Sequence, residues 1–168
     1  MIDDIPAAPV PNPPANRAAN RAAARLNGVQ ALYQMEVGSK GLNEILAEFE
    51  SHWIGGEIDG ETYIEADIDF FRDILRGVLE HQRQLDLMID ETLANGWPLK
   101  RVEAVLRAVL RAGAYELLQR KDVPARVVIK EYVDVAAAFL DRDEVGMTNA
   151  VLDALARHMR APEFDGAR

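Results

Sequence analysis

The chain has no cysteine, and it lacks other features of membrane-bound, secreted or disulfide-stabilised proteins. Without thiols, disulfide bonds, thiolate zinc sites and cysteine nucleophiles are excluded. No stretch approaches the about 18 uninterrupted apolar residues of a membrane helix, and the N-terminus lacks the apolar segment of a secretory signal. Hydrophobic residues still make up 49% of the 168 residues, which is enough for a core. We therefore expect a cytoplasmic protein built on one globular domain.

Sequence signatures of catalysis are also missing. There is no glycine-rich dinucleotide loop, no phosphate-binding loop and no nucleophile elbow. The histidines, His52, His81 and His158, are far apart, and none has a partner at metal-ligand spacing. These absences predict a protein that is not an enzyme and that holds no metal and no cofactor.

Carboxylates are absent from one long segment near the N-terminus. No Asp or Glu occurs between Asp4 and Glu36, although the whole chain carries a formal net charge of −9. The same segment contains Arg17, Arg21 and Arg25. The acidic total argues against a protein that coats nucleic acid with its whole surface. The local basic segment is the feature that needs an explanation.

The pattern of a half-buried strand, in which apolar and polar residues alternate, is lacking as well. Apolar residues instead recur at helical spacing over most of the chain, so no sheet is predicted. Thr62 and Glu65 have the spacing of a capping box, and Gly96 with Pro98 would end the helix that they begin. The predicted helices cover about residues 17–37, 42–53, 62–95, 99–120, 125–140 and 144–159.

The ends of the chain differ from this helical pattern. Five prolines between residues 5 and 14 exclude a helix interior and predict a flexible leader over residues 1–15, after which Asn16 can cap the first helix. The expected fold is all-α, with about six or seven helices. We predict one domain at 16–160, made of two small packed bundles at about 16–95 and 98–160, and a C-terminal tail at 161–168.

The spacing of the arginines places them along one face of the first helix. Residues four apart drift by about 40° per step, so Arg17, Arg21 and Arg25 share a face over about 12 Å. No acid lies four residues from any of them. Solubility of an alanine-rich helix explains the pattern equally well. Three phosphates neutralised on a single strand would give a log–log salt slope of only about −2, so an RNA site here would need further contacts or a partner protein.

Two segments of the sequence resemble the bacterial NusB family. The first is Ala24-Arg-Leu-Asn-Gly-Val-Gln-Ala-Leu-Tyr33, in which Gly28 stands in place of the usual alanine. Between the two segments, Phe71-Arg-Asp73 with Gly77-Val78 is similar to a further family motif. The second segment consists of Val109–Leu117, Asp122–Pro124, Val128–Glu131 and Asn149–Asp153. The likeness covers roughly residues 17–158.

The resemblance implies an all-helical fold and a role in transcription antitermination. It implies that the protein pairs with the ribosomal protein NusE, and that the pair binds single-stranded boxA RNA in the leader of ribosomal RNA transcripts within the RNA polymerase antitermination complex. The RNA-binding residues that it implies are Arg21 and Arg25 with Arg17 one turn earlier, Tyr33, and the group Arg142, Asp143, Met147, Thr148 and Asn149. From the sequence alone, Tyr33 could stack on an unpaired base or pack in the core.

Three other interpretations remain open at this point. A similar helical domain precedes the catalytic domain of some ribosomal RNA cytosine methyltransferases, although a chain ending at Arg168 leaves no room for such a domain. The chain could also be a NusB-like helical adaptor without antitermination activity. A homodimer that buries its own arginine face is the third interpretation.

Overall fold

The computed structural model describes residues 14–53, 57–58, 61–62, 67–93 and 102–165. These residues form seven helices and two very short strands. The prediction of an all-α fold is confirmed. The elements are α1 (Pro14–Gly38), α2 (Leu42–Trp53), β1 (Glu57–Ile58), β2 (Glu61–Thr62), α3 (Ile68–Thr92), α4 (Ala104–Gln119), α5 (Ala125–Phe139), α6 (Arg142–Met159) and α7 (Ala161–Asp165).

Helix α1 begins earlier than its sequence predicts. Its first residue is Pro14, so the last two residues of the predicted leader are helical and Asn16 is not the cap. Proline suits the first helical position because its missing N–H has no partner there in any case. The rest of the leader, residues 1–13, lies outside the described residues. At the other end Ser39, rather than a glycine, adopts a left-handed conformation with φ 54°.

The start of α3 also differs from the prediction. Thr62 does not cap a helix, because it lies in β2 and pairs with Glu57 of β1 in an antiparallel ladder. Although no sheet was predicted, these two-residue strands form a small one. The cap of α3 is Asp67, whose Oδ1 accepts a hydrogen bond from the Phe70 amide at 3.0 Å. Helix α3 ends at Thr92, earlier than the predicted end near residue 95, and Leu93 is its C-cap. The predicted stop signal at 95–98 lies outside the described residues.

Helix α4 is the centre of the fold, since it packs against α1, α3, α5 and α6. Two glycines allow its close approaches. A Cβ added to Gly77 of α3 would lie 2.0 Å from Tyr115 Cζ, and one added to Gly113 would lie 2.9 Å from the Leu152 methyl carbons. Gly113 therefore permits the close contact between α4 and Leu152 of α6. The described apolar core extends through α1–α6.

The C-terminal segment, predicted to be a tail, is helical over α7. Phe164 of this helix lies between the guanidinium groups of Arg126 and Arg157, with 5.3 and 4.8 Å from Cζ to the ring centroid. These contacts hold α7 against α5 and α6. Among the described helices, none combines the length and apolar character needed to cross a membrane.

Candidate nucleic-acid interface

The three arginines of α1 lie in three different environments, although they occupy one row of the helix. Arg17 is exposed, the Arg21 side chain is 35% exposed, and Arg25 is only 3% exposed. The drift of about 40° per step explains the trend, because it turns each successive arginine further towards α4. The row therefore does not form one continuous surface.

Arg25 forms a buried ion pair with Glu116 of α4. Its Nε and Nη2 donate to the two carboxylate oxygens at 2.9 and 3.0 Å, and Glu131 Oε2 lies 3.9 Å from Nη1. The Tyr132 hydroxyl donates to the same Glu116 carboxylate. Burial alone would lower the pKa of Arg25, but the hydrogen bonds and charge of Glu116 outweigh it and the pKa is raised. Arg25 is thus a permanently charged anchor between α1 and α4.

The prediction that Arg25 contacts RNA stays a prediction, but its side chain is only 3% exposed in the free protein. Its fork of donors is already satisfied by a carboxylate, so an RNA contact would require the pair to break. Glu116 is 91 residues away in the chain. Sequence spacing within α1 therefore could not indicate this ion pair, because the acid lies on another helix.

Arg21 is the half-exposed member of the row, and it has weaker acidic neighbours. Its Nε lies 3.7 Å from Asp67 Oδ2, and its Nη1 lies 3.8 Å from Asp122 Oδ2. Both distances exceed that of a hydrogen bond. Asp122 is held mainly by Arg120, whose Nε and Nη2 donate to it at 3.1 and 3.0 Å. The Arg21 guanidinium therefore makes two long ion pairs but no hydrogen bond to either carboxylate.

Phe70 of α3 packs against this cluster of guanidinium groups. The Cζ atoms of Arg21, Arg25 and Arg120 lie 4.6, 4.9 and 4.8 Å from its ring centroid. These distances fall within the range in which an aromatic face attracts a cation. Phe70 is 2% exposed. Sequence analysis missed this residue, since an aromatic side chain in an apolar helix stripe reads as ordinary core.

Asp67 fixes α3 to α1 beside Arg21. Its amide donates to the Asn20 carbonyl oxygen at 3.0 Å, while its carboxylate caps α3. The chain entering α3 is therefore attached to α1 one residue before Arg21. This attachment places the Phe70 ring under the arginine.

The second predicted group lies at the start of α6. Asp141 caps this helix by accepting a hydrogen bond from the Glu144 amide at 2.9 Å. Arg142, Asp143 and Asn149 are exposed, and Met147 is half-buried. Thr148 is 0% exposed, and its hydroxyl donates to the Glu144 carbonyl oxygen. Its side chain is thus part of the interior of the free protein, and the prediction that it contacts RNA stays a prediction.

The structure does not bring the two predicted groups together. Helices α1 and α4 are antiparallel, because Arg25 pairs with Glu116 near the end of α4 while Glu36 pairs with Arg107 near its start. The start of α6 lies at the start of α4, where burial and then the side-chain hydrogen bond and charge of the neighbouring Glu103 carboxylate raise the pKa of Glu144. The two groups therefore lie near opposite ends of α4, separated by about 20 Å of helix.

Tyr33 lies between these two groups along α1. It is 37% exposed and lines a cavity of about 570 Å³ between α1, α2, α4 and α5. The cavity is lined by Val29, Gln30, Tyr33, Gln34, Glu48, Phe49, Val105 and Phe139. The tyrosine ring is therefore accessible, and it is neither fully in the core nor next to the arginines.

A buried arginine that sequence analysis missed supports the Arg21 end of the molecule. The guanidinium of Arg160 donates to four backbone carbonyl oxygens in the segment from α4 to α5, at 2.8–3.1 Å. It also donates to Glu163, which accepts a hydrogen bond from the Ala125 amide. Arg160 and Glu163 together tie the end of α4 to the start of α5, and we call this pair the Arg160 clamp.

Comparison with known proteins gives consistent matches over nearly the whole chain. The NusB family profile matches residues 22–157. The transcription antitermination protein NusB of Bradyrhizobium diazoefficiens is 62% identical over 148 residues, which cover 88% of this chain and 90% of the relative. The NusB protein of Rhodopseudomonas palustris strain HaA2 is 60% identical over 160 residues, 95% of each chain.

Solved structures show the same fold. T. maritima NusB superposes with a TM-score of 0.70 at 29% identity, covering 86% of this chain and 96% of the other. A chain from the crystal structure of the antitermination factors NusB and NusE with double-stranded RNA gives a TM-score of 0.69 at 21% identity, covering 83% and 98%. With the profile match and the relatives at 60% and 62% identity, these likenesses show that the chain belongs to the NusB family.

Proposed function

We propose that this protein is a transcription antitermination factor that binds boxA RNA of ribosomal RNA transcripts together with the ribosomal protein NusE. The observation that carries the proposal is the 62% identity, over 88% of the chain, to a protein named as an antitermination factor. The pair would act within the RNA polymerase antitermination complex by holding RNA that is still tethered to the polymerase. This function requires binding and no chemical step, in keeping with the absence of catalytic motifs.

The geometry supports a smaller set of RNA contacts than the sequence implies. We propose that Arg17, Arg21 and Arg142 contact phosphates, since all three are accessible and none makes a hydrogen-bonded ion pair within the described residues. The remaining accessible candidates are Tyr33, Asp143, Met147 and Asn149. Arg25 and Thr148 support them from the interior.

The separation of these contacts favours a partnered complex. Arg21 and Arg142 lie near opposite ends of α4, so one strand would have to cross the molecule to reach both. Three phosphate contacts on a single strand give a log–log salt slope of about −2, which is too small for tight binding at physiological salt. A second protein that holds the same RNA would supply the missing affinity.

The test is a fluorescence anisotropy titration with boxA RNA and with a scrambled RNA, each with and without NusE. We expect a preference for boxA that strengthens with NusE, and we expect Arg21→Ala and Arg142→Ala each to reduce the salt slope by about 0.7. Arg83→Ala is the matched control, because it also removes an exposed cation that forms no ion pair among the described residues. Equal binding of boxA and scrambled RNA in the presence of NusE would contradict the proposal.

Light scattering with and without RNA tests the dimer interpretation. A dimer that dissociates on RNA addition would mean that self-association covers the arginine face. If the mass of the particle increases only by the mass of the bound RNA, the arginine face is accessible to RNA in the free protein, as proposed.

A further inference from the structure

The three guanidinium groups around Phe70 differ in what else holds them. Arg25 is bound by two hydrogen bonds to Glu116, and Arg120 by two hydrogen bonds to Asp122. Arg21 makes no hydrogen bond among the described residues, and its nearest carboxylate oxygens are 3.7 and 3.8 Å away. The Phe70 ring therefore packs against the one guanidinium of the three that makes no hydrogen bond to a carboxylate among the described residues.

A fixed arginine has a thermodynamic advantage in binding. An arginine side chain carries about 2 kcal/mol of rotamer entropy, which a freely moving side chain loses when it binds a phosphate. A guanidinium already stacked on a ring has lost part of that freedom in the free protein. The Arg21 N–H groups make no hydrogen bond among the described residues, although carboxylate oxygens of Asp67 and Asp122 lie 3.7 and 3.8 Å from its nitrogens.

We propose that Phe70 is a positioning residue for RNA binding, whose ring holds the Arg21 guanidinium in the orientation in which its edge meets an RNA phosphate. The inference rests on the proposed function, because it requires Arg21 to contact RNA. Arg25 and Arg120, held by their own carboxylates, form the sides of the site. Arg21, which makes no hydrogen bond to a carboxylate among the described residues, is the guanidinium of the three left to contact the ligand.

The alternative is that Phe70 matters only as part of the core. Its neighbour Phe71 provides the comparison, since it is also buried in α3 but stacks on Phe49 with ring centroids 5.4 Å apart. Phe71 has no guanidinium among its described ring contacts. Phe71→Leu therefore removes a buried aromatic ring from the same helix without touching the arginine cluster.

The experiment is a double-mutant cycle measured by RNA titration in the presence of NusE, over a series of salt concentrations. Its variants are Arg21→Ala, Phe70→Leu, the double variant and the control Phe71→Leu. We expect Phe70→Leu to weaken binding about threefold to tenfold, the range of a partly exposed cation–π contact, and to keep the wild-type salt slope. Arg21→Ala should lower the slope by about 0.7. In the Arg21→Ala background, Phe70→Leu should have no further effect.

The outcomes separate the inference from the proposed function. If wild-type protein does not prefer boxA, or if Arg21→Ala leaves the affinity and slope unchanged, the RNA role of Arg21 is wrong and the inference falls with it. If Arg21→Ala weakens binding but Phe70→Leu does not, the inference alone is wrong. Equal losses from Phe70→Leu and Phe71→Leu, or an undiminished loss in the Arg21→Ala background, would assign Phe70 to the core only.

A measurement on the unmodified protein keeps the inference testable if Phe70→Leu does not fold. NMR order parameters of the arginine Nε–H groups report rapid side-chain motion in the free protein. We expect Arg21 to be more ordered than Arg17 and Arg83, which have no aromatic contact among the described residues. An order parameter for Arg21 below about 0.6, as low as those of the two exposed arginines, would overturn the inference.

Discussion

The buried pair of Arg25 and Glu116 predicts that either charge, left alone, destabilises the attachment of α1. Arg25→Met removes the cation while keeping an apolar stem of similar length, and Glu116→Gln removes the anion while keeping its shape. Each single change leaves one charge or a set of polar groups in a site that is nearly closed to water. The free energy of unfolding should fall for both variants, and the neighbours of each residue set the size of the change.

Removing one partner of a buried ion pair typically lowers the free energy of unfolding by about 3–5 kcal/mol. Glu116→Gln should lie near the lower value, about 3 kcal/mol, because Glu131 remains 3.9 Å from the Arg25 Nη1 atom and can approach it. Arg25→Met should lower it by about 4 kcal/mol, since Glu116 then keeps only the Tyr132 hydroxyl. The double variant buries neither charge, so its loss should be smaller than the sum by about 2 kcal/mol.

Urea denaturation followed by circular dichroism measures these losses. With a dependence on urea of about 2 kcal/mol/M, a loss of about 3 kcal/mol lowers the midpoint by about 1.5 M. If both single variants stay within about 0.5 kcal/mol of wild type, Arg25 does not anchor α1. If Arg25→Met keeps its stability and instead loses RNA affinity as Arg21→Ala does, Arg25 contacts RNA after all, and its assignment to the interior is wrong.

Three further changes are predicted from local geometry. Ser39→Gly should raise the free energy of unfolding by about 1 kcal/mol in urea titration, because the φ of 54° strains a residue with a Cβ, and no gain would contradict that strain. Gly77→Ala should lower it by about 3 kcal/mol in the same assay, since the new methyl would overlap the Tyr115 ring; a loss under about 0.5 kcal/mol would mean that the helices can separate freely. The hydrogen bond from the Ala125 amide lowers the pKa of Glu163 most, and the hydrogen bond and charge of Arg160 lower it further. Because its folded-state pKa is lowered, the Glu163 carboxylate stabilises the fold fully above its unfolded pKa of about 4.3, and this stabilisation is lost as the pH falls through the folded-state pKa. Glu163→Gln should therefore flatten the decline of Tm below about pH 4. An unchanged decline would contradict this.

The positions of the helices could be predicted from the sequence, because the spacing of apolar residues depends only on residues close together in the chain. The predicted bounds 42–53 are those of α2, and α5 and α6 differ from prediction by no more than two residues at either end. The predicted start of α3 was wrong, because a capping box at Thr62 and Glu65 competes with strand pairing of Thr62. The actual cap is Asp67, whose carboxylate accepts a hydrogen bond from the Phe70 amide.

The environments of the site residues could not be predicted in the same way. The spacing of residues along α1 predicts ion pairs only with acids on the same helix. In the fold, Arg25 pairs with Glu116, and Arg21 lies near Asp67 and Asp122, all outside α1. The spacing of residues along one helix gives no information about a partner on another element. Thr148 shows the same limit, because its side chain is polar in the sequence but its helix turns it inward.

The Arg160 clamp has a consequence for the order in which this protein becomes functional during synthesis. A ribosome produces the chain from its N-terminus, so α1 and its arginines emerge first. Arg160, which comes late in the chain, donates to the carbonyl oxygens of Glu116, Leu117 and Arg120 at the end of α4. The Glu116 and Arg120 oxygens also accept a backbone amide each. The turn that carries Asp122 beside Arg21 is therefore completed last. A nascent chain would present its arginines before the site that orders them exists, and RNA recognition would begin only once Arg160 has emerged from the ribosome.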